Sequence, residues 1–122
     1  MKHILVFGSL RKFSKRGYNF DRFGKGSQTY VQDVTLKGFE MVSLGAYPAI
    51  YPSDKGQIKT ELHAVTDAAF NSIQRMEAGA GYDELELDVD GIKATIFTMS
   101  KNNLTMYRGN RPLEIVESGD WE

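Results

Sequence analysis

Ile4-Leu5-Val6-Phe7 is a continuous apolar run that stops at Gly8-Ser9. That pattern predicts a central strand buried on both faces. Residues 11–27 are basic and glycine-rich, with Phe13, Tyr18, Phe20 and Phe23 interspersed, and predict a loop with one helical turn around Tyr18 to Phe23. Over 28–44, Val34, Leu36, Phe39 and Met41 take the apolar positions around Gly38. This predicts one long strand bent at Gly38, or two short ones. Pro48 and Pro52 then exclude a helix and predict an extended segment at a sheet edge. Ser53-Asp54-Lys55-Gly56 is expected to be a turn.

Ile58, Thr60, Leu62 and Ala64 alternate with Lys59, Glu61 and His63, the pattern of a strand with one wet face. Thr66-Asp67 supplies an N-cap, and Ala68 to Ala78 predicts a helix ending near Gly79. Leu85, Leu87 and Val89 alternate with Glu84, Glu86 and Asp88; Asp90-Gly91 is a hairpin signal, and Ile92 to Met99 is the return strand. A short helical turn is expected at 104–108, and a last strand around Leu113, Ile115 and Val116. The expected class is α+β: a small curled, mostly antiparallel sheet or open barrel with one main helix. Residues 1–122 are expected to form a single domain.

Composition changes this picture mainly by exclusion. Net charge is −1, so no concentrated positive charge invites nucleic acid or an anionic membrane. Arg11, Lys12, Lys15 and Arg16 form a local basic cluster, read as a solvated loop. The absence of cysteine removes disulfides, thiol nucleophiles and cysteine-based metal sites. No run approaches ~20 apolar residues, and the N-terminal apolar run is too short for a signal peptide. A cytoplasmic protein is the expectation, and the sequence is silent on oligomeric state.

Glu77 is the most informative residue for chemistry. At helical spacing Phe70, Ile73 and Glu77 share one face, so the face that enters the core also carries a carboxyl. Burial disfavours the charged form, which suits a general acid or base; the bland reading is that the side chain escapes to solvent from a fraying end. Phe7-Gly8-Ser9-Leu10 is the second feature, because amides at the end of a buried strand can hold a carboxylate or oxyanion. His3 and His63 have no partner at metal-ligand spacing. Tyr82 lines a pocket or covers the core, and Trp121 reads as a packing anchor.

Taken in order, these pieces resemble the gamma-glutamylcyclotransferase-like superfamily of small α+β barrel proteins. Val6-Phe7-Gly8-Ser9-Leu10 is similar to its opening strand and Y-G-S/T-L loop, and Gly45-Ala46-Tyr47-Pro48-Ala49-Ile50 to its central G-x-x-P-A segment. Met76-Glu77-Ala78-Gly79 resembles the helix end that carries the catalytic glutamate. Tyr82 matches the tyrosine that usually follows, and Ser118-Gly119-Asp120-Trp121 the S-G-D-W ending of bacterial members. The resemblance implies a small-molecule γ-glutamyl substrate cyclised to 5-oxoproline, with Glu77 catalytic and Phe7, Gly8, Ser9, Leu10 and Tyr82 binding the substrate. It implies no metal or organic cofactor. Three departures stand out: Phe7 replaces the usual tyrosine, Ile73-Gln74-Arg75 replaces the usual L-D, and Ala78 separates Glu77 from Gly79. They leave open a non-catalytic binder of a small anionic metabolite or nucleotide on the same scaffold. A third reading is an interaction module that exposes Tyr47 to Tyr51 as an edge.

Overall fold

A computed structural model describes residues 1–8, 26–45, 48–100, 104 and 114–121. Its described elements run β1 (Lys2–Val6), β2 (Gln28–Ser43), β3 (Pro48–Val65), α1 (Asp67–Gly79), β4 (Asp83–Val89), β5 (Ile92–Thr98) and β6 (Glu114–Ile115). The strands form one six-stranded sheet in the order β4-β5-β1-β3-β2-β6, curled into a half-barrel. All pairings are antiparallel except β1 with β5, which is parallel. That pair joins distant parts of the chain: α1 and the β4–β5 hairpin carry the chain past β3 and set β5 against β1.

The apolar run of β1 becomes an interior strand, with Ile4, Leu5 and Val6 all buried. The β2–β3 pair is a long hairpin whose register slips at two places. One is at Gly38, as its φ of +90° allows. The register moves from Lys37↔Gln57 to Phe39↔Pro52, so Ser53 to Gly56 bulge from the ladder within β3. The expected turn is therefore a bulge inside one 18-residue strand, because β2 continues past it on both sides. A Cβ on Gly56 would lie 2.1 Å from Phe39 O, so the backbones approach closely enough to require glycine. The second slip leaves Val31 42% exposed.

One expectation is refined and another corrected. Taken whole, β3 lies between β1 and β2, but β1 pairs only with Glu61 to Val65 of β3. Its proline-bearing stretch fits because it ladders with β2, while Ile50 O accepts from Met99 N at 2.8 Å. Pro48, Ala49, Ile50 and Tyr51 are all buried, so the edge expected of an interaction module is not exposed over 48–51; Tyr47 lies outside the described residues. The wet face assigned to Lys59, Glu61 and His63 is wet only at Lys59; Glu61 and His63 are buried. An interior strand is covered on both sides, and alternation alone does not report that. The basic cluster 11–16, the helical turn at Tyr18 to Phe23 and residues 105–108 lie outside the described residues.

The C-terminal segment closes against β3. Lys59 N donates to Gly119 O at 2.7 Å, Gly119 has φ +67°, and Trp121 is buried as a packing anchor.

Candidate functional site

The site is built where α1 ends, β3 begins and β1 stops. The helix starts at Thr66, whose extended backbone and side-chain oxygen form an N-cap; Ala69 N donates to Thr66 Oγ1 at 3.2 Å. Ala69, Phe70 and Ile73 are its buried residues. Glu77, one turn after Ile73, is half-buried, as the shared face required.

The far end of the helix fixes Glu77. Tyr82 N donates to Glu77 O at 3.0 Å and Gly81 N donates to Ala78 O at 3.1 Å, while Gly81 has φ +90°. These paired bonds around a left-handed glycine are the Schellman arrangement, with Glu77 at its third-from-last helical position. The glycine that stops the helix is thus Gly81, and Gly79 belongs to the last turn. The two-bond closure holds the Glu77 backbone where a plain end would fray. It also reverses the chain so that Tyr82 turns back beneath the helix end.

Tyr82 is buried, and its hydroxyl donates to Pro48 O at 2.6 Å. Pro48 opens β3. Its ring stands against Gly8: a Cβ built there would meet Pro48 Cδ and Cγ at 3.3 Å. Phe7, just before Gly8, is buried. Glu77, Tyr82, Pro48 and Gly8 are thereby linked by one main-chain hydrogen bond, one hydroxyl bond and one packing contact. Sequence reasoning selected Glu77, Tyr82, Phe7 and Gly8: Glu77 joins this corner through its main-chain carbonyl, Tyr82 through its amide and hydroxyl, and Gly8 through its packing on Pro48, with Phe7 its buried chain neighbour. Ser9 and Leu10 lie outside the described residues. Pro48, the joint between the parts, was singled out only for its effect on secondary structure.

Sequence reasoning missed a second polar group. Gln28 Nε2 lies 2.8 Å from His63 Nδ1, and His63 Nε2 lies 2.9 Å from Glu61 Oε1. The i, i+2 spacing of Glu61 and His63 on one strand face was the available signal. Among the described residues, no cluster of three or more His, Cys, Asp or Glu is placed to hold a metal ion, and no helix is long and apolar enough to cross a membrane.

The chain matches the family model described as gamma-glutamyl cyclotransferase, AIG2-like, over residues 4–122. It belongs to that family. Solved structures agree on the fold of this AIG2-like chain. An uncharacterized protein of Pyrococcus horikoshii is 24% identical with a TM-score of 0.74, over 99% of this chain and 90% of that one. Protein ytfP from Escherichia coli is 24% identical with a TM-score of 0.70, over 98% and 95%. An AIG2-like protein of Mus musculus is 16% identical with a TM-score of 0.68, over 100% and 88%. At these identities the likeness carries the architecture. No curated protein matches the chain.

Proposed function

We propose that this chain is a γ-glutamyl cyclotransferase that releases 5-oxoproline from a γ-glutamyl amine or amino acid, with Glu77 as its acid and base. The observation that carries the reading is the half-buried Glu77 at the Schellman-closed end of α1, coupled through Tyr82 and Pro48 to Gly8 at the end of β1. Family membership supports this reaction class.

In this reading the substrate's α-amine attacks its own γ-carbonyl carbon. Glu77 takes a proton from the attacking nitrogen and delivers it to the departing amine as the carbonyl–nitrogen bond breaks. Main-chain amides from Phe7 to Leu10 hold the glutamyl moiety and stabilise the oxyanion. Gly8 lets the substrate approach the backbone, and Tyr82 completes the wall. A site that holds the substrate bent contributes proximity, since both reacting groups belong to one molecule.

The test is 5-oxoproline release by purified wild type and Glu77→Gln, across a panel of γ-glutamyl compounds. Removing a general acid–base is expected to cost at least ~10²-fold in kcat. A Gln variant as fast as wild type refutes the assignment. The Phe7 and Ala78 departures favour one other reading, a binder without turnover; tight binding by wild type with no 5-oxoproline formed would select it.

A further inference from the structure

The outer edge of β2 is open between its two register slips. β6 pairs only with Val42 and Ser43, and among the described residues no strand meets that edge from Asp33 to Lys37. Gln32 bounds the stretch at one end, where its Nε2 donates to Asp90 Oδ2 at 3.3 Å, and the slip at Gly38 bounds it at the other. Lys59 N donates to Gly119 O, so the Lys59 N–H points away from β2. In an antiparallel ladder two opposed residues either exchange both bonds or turn their groups away from each other. Thr35 stands opposite Lys59, so its N–H and C=O face the open side. Alternation turns those of Asp33 and Lys37 the same way. The rule holds further along the strand: Met41 stands opposite Ile50, Ile50 O accepts from Met99 N, and Met41 O accepts from Val116 N. The side chains of Asp33, Thr35 and Lys37 are exposed, and Asp33 Oδ1 accepts from the Tyr30 hydroxyl at 2.8 Å. Val34 and Leu36, between them, are half-buried against the core.

A row of outward donors and acceptors is a template for another strand, and the charges select which strand fits. A second copy lying antiparallel with Thr35 opposite Thr35 sets Asp33 of each chain against Lys37 of the other, and Val34 against Leu36. Every outward residue then meets an outward residue, which gives about six main-chain hydrogen bonds, two for each such pair. Sliding the register by one outward residue leaves both charges opposite uncharged groups. Sliding it by two sets Asp33 on Asp33 or Lys37 on Lys37, which is destabilising. β4, at the other end of the sheet, has no such match, because Glu84, Glu86 and Asp88 would oppose acid to acid. We propose that the Asp33–Lys37 edge of β2 is a homodimer interface, at which two copies join about a two-fold axis at Thr35 into one continuous sheet. The proposal is independent of the reaction assigned above. The contact is isologous and closes on itself, so it stops at two chains. An interface this small is weak and depends on concentration.

The test is sedimentation velocity on the full chain from about 10 µM to about 1 mM, a span that covers weak association. Wild type should pass from the mass of one chain to that of two as concentration rises. Lys37→Asp sets acid against acid at both ends of the contact and should weaken association at least about tenfold. Adding Asp33→Lys to it restores both pairs in this register and should return the dissociation constant to within about threefold of wild type. Thr35→Pro removes a donor that the β2–β3 ladder does not use, so the variant should keep its circular dichroism and stay monomeric. If Thr35→Pro does not fold, the two charge variants, whose altered side chains are exposed, carry the test. Wild type that remains a single chain at about 1 mM overturns the proposal. So does a dimer that Lys37→Asp leaves equally strong, a double variant no stronger than Lys37→Asp, or a folded Thr35→Pro that still dimerises.

Discussion

Replacing Tyr82 with Phe deletes one oxygen from the joint between helix end and sheet. The ring remains, so its packing is preserved. The hydroxyl lies 2.6 Å from Pro48 O, and both residues are buried. Water does not readily replace the lost donor there, so the cost approaches that of stripping a partner from a buried carbonyl, about 1–3 kcal/mol. An unfolding entropy of roughly 2.1 cal/mol/K per residue over 122 residues gives about 0.26 kcal/mol/K. The expected fall in Tm is therefore roughly 4–12 °C. Urea unfolding should report the same loss as a lower midpoint at unchanged m. Activity should fall as well, because Tyr82 N also closes the helix turn that carries Glu77; the loss should stay smaller than that of Glu77→Gln. A Tyr82→Phe protein within ~0.3 kcal/mol of wild type would refute the claim that this bond ties α1 to β3.

Two further outcomes can be checked directly. Gly119→Ala places a Cβ 2.2 Å from Gln57 O at φ +67°; the backbone penalty alone is about 1–2 kcal/mol, and the overlap adds to it. Denaturant unfolding should show a loss above ~2 kcal/mol, with Trp121 fluorescence reporting a loosened C-terminal segment. The Tyr51 hydroxyl donates to Glu40 Oε2 at 2.6 Å, and burial, then this bond to a carboxylate, pushes its pKa up to about 12. The folded value is above the unfolded one near 10, so the stabilisation is fully present below pH ~10 and is lost as pH rises through about 12. In an ultraviolet titration one tyrosine fewer should ionise near pH 10 in Tyr51→Phe only if that reasoning fails; the variant should instead lose a step at about 12.

Local chemistry was legible in the sequence where one segment decides its own conformation. Thr66 caps α1 as expected. Asp90 and Gly91 take φ of 51° and 85°, the two left-handed residues that a tight hairpin requires. Gly38 marks a register slip. The Phe70, Ile73, Glu77 spacing matches a Glu77 that is half-buried. Misreadings arise where a distant partner decides. The Ser53–Gly56 turn signal was overruled by β2 pairing on both sides of it. The parallel β1–β5 contact depends on a crossover that no local pattern encodes.

The Glu61–His63 pair is the clearest such case. Alternation gave its spacing and assigned it to water, because period-two patterns identify which residues share a face and not what covers that face. The face is covered, and a carboxylate there is tolerated only with a hydrogen-bonding partner. His63 supplies it at 2.9 Å, and Gln28 supports His63 from the neighbouring strand. A sequence reading that asks which acidic residue on an interior strand has a histidine two positions away would have found the pair. The same question separates it from Glu84, Glu86 and Asp88, which share the alternation but lie exposed on β4 at the end of the sheet. Position in the strand order, rather than residue type, decides which of these acidic side chains is buried.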